Sequence, residues 1–126
     1  MKFTFNENRF ETEFEYGKLH ISGDEQHGFR PYQLMVSSVA VCSGGVLRKV
    51  LEKQRMKIND LTVEADVERN PEEANRLTKI HLHYTISGEN LNEKKIEKAM
   101  ELAQKNCPMA QTIIASVELT ESFEIV

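Results

Sequence analysis

The feature that most constrains the fold of this chain is one long segment of small and apolar residues, residues 30–56. Positions 34–47 are apolar or small on every side, which predicts a helix that is buried all round rather than amphipathic. Pro31 suits the first turn of this helix, where a missing backbone N–H costs nothing. Gly44 and Gly45 would each cost the helix about 1 kcal/mol relative to alanine, so we expect another backbone or a ligand to approach closely there.

Length and charge limit the classes of protein to which this chain can belong. Its 126 residues predict a single domain, residues 1–126. A net charge of −4 and a pI of about 5.6 argue against nucleic-acid and anionic-membrane partners. We expect no membrane span, because no run of eighteen apolar residues is present, and no signal peptide, because the first residues lead into an alternating, acidic stretch rather than an apolar block. The expected compartment is the cytoplasm, where the two cysteines would be free, metal-bound or redox-active rather than a static disulfide.

Alternating and helical patterns predict the order β-β-β-α-β-β-α-α-β. Because the strands cluster in hairpins, we expect an α+β fold with a largely antiparallel sheet and helices on one side. A turn is predicted at Asn59-Asp60, and Asn90 or Asn92 could cap the helix that follows the fifth strand. Besides the central helix, the predicted elements are a strand at 2–7, a hairpin at 10–22, strands at 61–67 and 77–87, helices at about 93–105 and 109–115, and a strand at 117–125.

The two cysteines, Cys42 and Cys107, are the residues best suited to chemistry. Cys107 precedes Pro108 and should cap a short helix, whose N–H groups lower a thiol pKa from about 8.5. Cys42 lies inside the central helix, where burial raises the pKa, so it needs a nearby cation to act as a nucleophile. Arg9 and Arg30 are the candidate cations. The alternative is that both cysteines pack as small apolar residues, which free cysteines commonly do.

Other candidate sites carry weaker signals. His81 and His83 share one face of a strand and could bind a metal, but no third ligand is predicted beside them, so a solvated strand face is the preferred interpretation. The glycines between positions 23 and 28 lack the spacing of phosphate-binding loops. We therefore expect neither a metal nor a cofactor.

Two cysteine segments in this order resemble the OsmC family, which includes the organic hydroperoxide resistance proteins. The first is PYQLMVSSVAVCSGG, a proline-led helix of small residues that reaches Cys42, eleven residues after Pro31. The second is NCPMAQTIIASVEL, in which Cys107 and Pro108 open a short helix. The predicted order of elements is similar to the family's as well, so the resemblance covers nearly the whole chain.

The resemblance implies an intertwined homodimer with two sites at the subunit interface and a thiol peroxidase activity in the oxidative stress response. It gives Cys42 the role of attacking the O–O bond of a hydroperoxide and becoming a sulfenic acid. Cys107 would then condense with it to a disulfide. A dithiol reductant, either a lipoylated protein or a small thiol, would restore both thiols. Arg9 matches the family arginine that holds the first thiolate.

One position departs from the family pattern. The hydroperoxide branch has a glutamate directly after the helix-leading proline, whereas this chain has Tyr32, followed by Gln33. The chain therefore resembles the broader OsmC-like branch, in which Tyr32 or Gln33 could hydrogen-bond the arginine or a peroxide oxygen. Arg30 is a further supporting or substrate-binding candidate. The alternative function is a non-enzymatic dimeric module of the stress response that binds a small molecule.

Overall fold

The computed structural model describes all residues 1–126, which form two compact units, residues 1–37 and 38–126. The elements follow the predicted order, and the mixed α+β class is confirmed. The first unit holds β1 (Thr4–Asn6), β2 (Arg9–Glu13), β3 (Lys18–Ile21) and the start of α1 (Pro31–Lys53). The second holds the rest of α1, then β4 (Lys57–Asn70), β5 (Arg76–Glu89), α2 (Glu93–Asn106), α3 (Pro108–Ile113) and β6 (Glu118–Ile125).

The first unit is built on a three-stranded antiparallel sheet in the order β1-β2-β3. The predicted hairpin of β2 and β3 is confirmed, with paired backbone hydrogen bonds of 3.0 and 3.1 Å between Phe14 and Gly17 closing its turn. β1 is shorter than predicted at both ends, and it stops before Glu7 because the chain turns there, with a φ of 61° in the left-handed region. Phe5 and Phe10 pack edge to face across β1 and β2, with ring centroids 5.3 Å apart.

The second unit contains a separate three-stranded sheet in the order β4-β5-β6. β4 and β5 pair antiparallel, whereas β6 runs parallel to β5, a pairing that the hairpin pattern did not predict. A parallel neighbour requires a crossover connection, and α2 with α3 supplies it. The turn predicted at Asn59-Asp60 is wrong, because those residues lie inside β4 where the register shifts at a bulge between Ile58 and Asp60.

The core of the second unit forms where α2 covers one face of its sheet. The inward residues of β5 alternate as predicted, and all are at most 1% exposed: Ile80, Leu82, Tyr84 and Ile86. The predicted apolar stripe of α2 is buried too: Ile96, Ala99, Met100 and Ala103. Of the two candidate caps, Asn92 is the one used, since its Oδ1 accepts the Lys95 N–H at 3.0 Å.

The prediction that α1 is buried all round is wrong for the single chain. Val39, Leu47 and Leu51 are at most 1% exposed, but Val41 on the opposite side is 73% exposed. Gly44 lies on the packed side of the helix and Gly45 on the open side. A Cβ added at Gly44 would lie 3.1 Å from a methyl group of Val63, whereas nothing lies within 4 Å of one added at Gly45. The helix therefore has one packed face and one open apolar face.

By length and composition, α1 also meets the criterion for a helix that could cross a membrane. Its apolar residues are interrupted by serines, so no unbroken apolar run of that length is present. Core helices of globular domains meet the same criterion, so this observation is weak evidence for a membrane segment.

Candidate functional site

Cys107 lies where α2 ends and α3 begins. Its backbone is extended, with φ −85° and ψ 111°, and its N–H bonds the Gln104 carbonyl while Pro108 starts the next helix. The Cys107 side chain is fully buried, and its Sγ accepts the Ala110 N–H at 3.3 Å. The predicted N-cap is therefore confirmed. Backbone hydrogen bonds hold both the N–H and the sulfur of Cys107.

The structure brings Cys42 against Cys107, although the two residues lie on different elements and far apart in the sequence. The half-buried Cys42 thiol, on α1, lies beside the Cys107 sulfur, so that each thiol shifts the pKa of the other. The Met109 backbone N–H lies beside both sulfurs. Both cysteines are free thiols here.

The electrostatics of the pair are unequal. The hydrogen bond to Cys107 and, after it, burial raise the pKa of Cys42. Burial also opposes ionisation of Cys107, but the N–H groups of Ala110 and Met109 and the nearby Cys42 and Ser43 outweigh it and lower the pKa of Cys107. When the pair loses its first proton, the negative charge therefore lies on Cys107, as the capping position of Cys107 predicted.

Behind the cysteines lie three polar side chains that the sequence argument missed. Ser43 is fully buried, and its hydroxyl has no hydrogen-bond partner, although it is near enough to lower the pKa of both Cys107 and Tyr84. Tyr84 is 1% exposed, and burial followed by the nearby carboxyl of Glu121 raises its pKa strongly. Two features of the sequence could have indicated these side chains: a serine directly after Cys42, and a tyrosine on the inward face of β5.

Glu121 is the most unusual of these groups. It occupies the inward row of β6, between Leu119 and Phe123, where the alternation calls for an apolar residue. Its Oε1 is buried without a hydrogen-bond partner, and burial raises the pKa of the carboxyl to about 7. Glu121 also borders an open groove of about 520 Å³ between α2 and β6, lined by Glu97, Met100, Glu101, Gln104, Glu121, Ser122 and Phe123.

The remaining predicted site residues lie in the first unit, where both arginines have carboxylate partners. Arg9 Nη2 lies 3.0 Å from Glu11 Oε1, and its Nε donates to the same oxygen at 3.0 Å. This hydrogen bond to Arg9 is the main reason that the pKa of Glu11 is lowered.

Arg30 Nη2 lies 3.7 Å from Glu25 Oε2, and its guanidinium carbon lies 5.1 Å from the centroid of the Tyr32 ring. Gln33 borders a groove of about 420 Å³ in the same unit, together with His20, Glu25, His27, Gly28, Phe29 and Arg30.

His81 and His83 lie on the outer face of β5 and bind β6 side chains. His81 bridges the Thr120 and Ser122 hydroxyls at 2.6 and 2.8 Å. His83 contacts the Ser122 hydroxyl at 2.7 Å and the Glu124 carboxylate at 3.2 Å. No group of three or more His, Cys, Asp or Glu side chains that could hold a metal ion is found. These contacts make the histidines part of the β5–β6 pairing.

Comparison with known proteins places this arrangement in a family. The sequence profile described as "OsmC-like protein" matches residues 23–122, so the chain belongs to the OsmC-like family. It is 29% identical over 106 residues to Protein YhfA of Escherichia coli K12, covering 83% of this chain and 78% of YhfA.

Solved structures share the fold. An OsmC-like protein from Mycoplasma pneumoniae superposes with a TM-score of 0.85 at 19% identity, covering 99% of this chain and 94% of the other. An organic hydroperoxide resistance protein from Elizabethkingia anophelis gives 0.75 at 17% identity, covering 99% and 94%. At these identities the likeness concerns the fold, and it confirms the OsmC-like architecture expected from the two cysteine segments.

Proposed function

We propose that this protein is a cysteine-dependent thiol peroxidase that reduces hydroperoxides, organic ones in particular. The observation that carries the proposal is the contact between the Cys42 and Cys107 thiols, because two thiols in contact can be oxidised together to a disulfide. Similarity to proteins named for organic hydroperoxide resistance supports the choice of substrate.

The unequal charge of the pair suggests how the first step proceeds. The Cys107 thiolate takes the Cys42 proton as the Cys42 sulfur attacks one peroxide oxygen. The O–O bond breaks, Cys42 becomes a sulfenic acid, and the proton passes on to the leaving alkoxide to give the alcohol. In this scheme Cys107 is a general base first and a resolving nucleophile afterwards.

The second step closes the disulfide. The Cys107 thiolate attacks the Cys42 sulfenic sulfur, an S–S bond forms, and hydroxide leaves and is protonated to water. Together the two thiols supply two electrons, and one hydroperoxide becomes one alcohol and one water. A dithiol reductant, such as a lipoylated protein or a small dithiol, returns the electrons by exchange, so that no further cofactor is needed.

We propose a homodimer as the working form, in the cytoplasm. The open apolar face of α1 supports this, because a groove of about 330 Å³ runs along it, lined by Ala40, Val41, Gly44, Gly45, Arg48, Leu61 and Val63. Exposed apolar surface of this kind on a helix that is otherwise packed is typical of a subunit interface. The family roles of Arg9, Tyr32, Gln33 and Arg30 stay predictions that substitution can test.

The second candidate function is a non-enzymatic module that binds a small molecule. It is favoured by Tyr32 standing in place of the family glutamate and by the raised pKa of Cys42, which keeps that thiol protonated at neutral pH. The two functions differ in how fast the thiols react with peroxide.

The deciding experiment treats the reduced protein with one equivalent of an organic hydroperoxide, with hydrogen peroxide in parallel, and follows intact mass and free thiols. A peroxidase loses both thiols and two hydrogens faster than the denatured chain does. Slow loss, or overoxidation of one cysteine without a disulfide, would leave the binding module as the better explanation.

A further inference from the structure

The outer face of the β5–β6 pairing carries one continuous chain of hydrogen-bonded side chains. His81 Nδ1 lies 2.6 Å from Thr120 Oγ1, and His81 Nε2 lies 2.8 Å from Ser122 Oγ. Ser122 Oγ in turn lies 2.7 Å from His83 Nδ1, and His83 Nε2 lies 3.2 Å from Glu124 Oε1. Because the chain ends on a carboxylate, that end fixes where each hydrogen lies.

The direction of these hydrogen bonds follows from the groups themselves. An ionised carboxylate only accepts, so His83 Nε2 carries a hydrogen and donates it to Glu124. In a neutral imidazole the other nitrogen is then an acceptor, so the Ser122 hydroxyl donates to His83 Nδ1. Because that hydroxyl has only one hydrogen, its oxygen accepts the His81 Nε2–H. The hydrogen of Ser122 is therefore held on a base.

Three of these side chains meet the geometric criteria for an activated nucleophile. Those criteria are a hydroxyl at about 2.6–3.2 Å from a base, and a third group that orients the base. Ser122 supplies the hydroxyl, His83 is the base, and Glu124 orients His83. A hydroxyl that only joined two strands would not need a carboxylate on the far side of its histidine.

Carboxylates on the neighbouring strand suit this arrangement. In the β4–β5 register Glu64 lies opposite His83 and Asp66 lies opposite His81, and both acidic residues are exposed. Opposed side chains on one face of an antiparallel pair are about 4.5–5.5 Å apart at Cβ, so Glu64 and Glu124 both lie near the His83 imidazole. Negative charge stabilises the imidazolium that forms when His83 takes a proton. The same charge disfavours anionic substrates.

The exposure of the site limits the substrate further. The His83 side chain is 32% exposed and that of Glu124 is 58% exposed, so the reacting groups lie on an open sheet face. An open face holds a substrate weakly and stabilises a poor leaving group little. The expected substrate is therefore uncharged and already carries a good leaving group.

We propose that Ser122, His83 and Glu124 form a second active site, which transfers the acyl group of small uncharged aryl esters to water. Ser122 Oγ bonds to the carbonyl carbon while its proton passes to His83 Nδ1. The bond from that carbon to the leaving oxygen breaks, and His83 returns the proton to the leaving oxygen. Water then attacks the acyl-serine with His83 again as the base, and the carboxylic acid leaves and restores Ser122.

The roles of the three residues differ. Ser122 and His83 are catalytic residues, because both touch the reacting atoms. Glu124 is a positioning residue, since it acts through His83. The activity uses neither cysteine and no redox step, so it does not rest on the proposed peroxidase.

The first test treats the folded protein with a fluorophosphonate probe, which labels activated serines, and locates the adduct by peptide mass spectrometry. We expect the label on Ser122. Hydrolysis of para-nitrophenyl acetate, measured in parallel, should fall to background in Ser122→Ala protein. Ser116→Ala is the matched control at an exposed serine just before β6, and it should match the wild type. Both variants keep both cysteines, so any acylation of the thiols contributes equally to each.

Further variants separate the roles of the neighbours. His83→Ala removes the base and should slow labelling by about a hundredfold, whereas His81→Ala leaves base and orienting group in place and should slow it less. Glu124→Ala should slow labelling by about tenfold, and Glu124→Gln, which keeps an acceptor oxygen, should restore most of the rate. Circular dichroism shows whether each variant is folded.

The wild-type protein alone can overturn the proposal. A wild-type protein without label on Ser122 would do so and requires no variant to fold. Equal losses from His81→Ala and His83→Ala would overturn the assignment of the base. Neither readout involves peroxide, so a protein that reduces peroxide but stays unlabelled counts against this site alone. A labelled protein that does not reduce peroxide counts against the peroxidase alone.

Discussion

The Cys42 thiol lies beside the Cys107 sulfur, and this proximity makes the two cysteines one titrating unit. A helix N-cap on one side and a buried helix on the other give them opposite pKa shifts. The proposed mechanism gives the attack to Cys42 while the lower pKa belongs to Cys107, so its first step requires a proton to cross between the two sulfurs.

Substituting each cysteine separates these two roles. Cys42→Ser removes the attacking sulfur and should reduce hydroperoxide turnover to background. Cys107→Ser removes the base and the resolving thiol, so the first step should slow by about a hundredfold and the Cys42 sulfenic acid should persist. Stopped-flow peroxide consumption and trapping of the sulfenic acid with a dimedone reagent measure both effects.

Two outcomes would contradict these roles of Cys42 and Cys107. Turnover that continues in Cys42→Ser protein, or a sulfenic acid that accumulates on Cys107, would give the attack to Cys107. The lowered pKa of Cys107 would then mark it as the nucleophile.

Arg9 and Arg30 can be separated by paired substitutions. If Arg9 holds the first thiolate, Arg9→Ala slows alkylation of Cys42 at neutral pH, whereas Arg30→Ala does not. Arg9→Ala should also raise the pKa of Glu11, because the hydrogen bond from Arg9 is the main cause of its lowered value. NMR titration of the Glu11 carboxyl shows whether the substitution acted where intended. Equal alkylation rates in both variants would remove Arg9 from the site.

Glu121 should make the protein less stable as the pH rises. The folded protein holds its carboxyl pKa at about 7, above the usual 4.5, so between those values the folded state binds more protons than the unfolded state. The free energy of unfolding therefore falls across this window. Allowing for the partial exposure of the side chain, Glu121→Gln should stabilise the protein by about 1–2 kcal/mol near pH 8 and by little near pH 4.

Urea denaturation at several pH values measures that difference. Glu118→Gln is the matched control, because Glu118 is an exposed glutamate on the same strand. A gain from Glu121→Gln that is the same at every pH would show that the carboxyl is not protonated in the folded state.

A charge on the open face of α1 should disrupt the proposed dimer. Val41 is 73% exposed in the single chain, and burying a charge in an apolar interface without a partner is strongly unfavourable. We expect Val41→Glu to be a folded monomer at a concentration of about 10 μM, at which the wild type is a dimer. Light scattering and circular dichroism measure mass and folding together.

Leu102→Glu is the control for that experiment. Leu102 is 44% exposed on α2, so the same charge is introduced at an apolar residue away from α1. A wild-type protein that is itself a monomer would contradict the dimer, and a dimeric Val41→Glu protein would place the interface elsewhere.

The sequence alone determined those features that depend on neighbouring residues. Proline placement and hydrophobic periodicity predicted α1 and α2, and the Cys107-Pro108 pair predicted the N-cap of α3 with its lowered thiol pKa. The inward face of β5 followed from its alternation, because the two faces of a strand are fixed by a period of two.

Only the tertiary structure decided what depends on contacts between distant segments. The parallel pairing of β6 with β5, the bulge at Asp60 and the open face of α1 are set by packing, and local patterns do not encode them. The same holds for the site. Cys42 meets Cys107, and Ser43 and Glu121 lose their water, only because α1, α3 and β6 pack around the same core, and burial rather than residue type gives these side chains their chemistry.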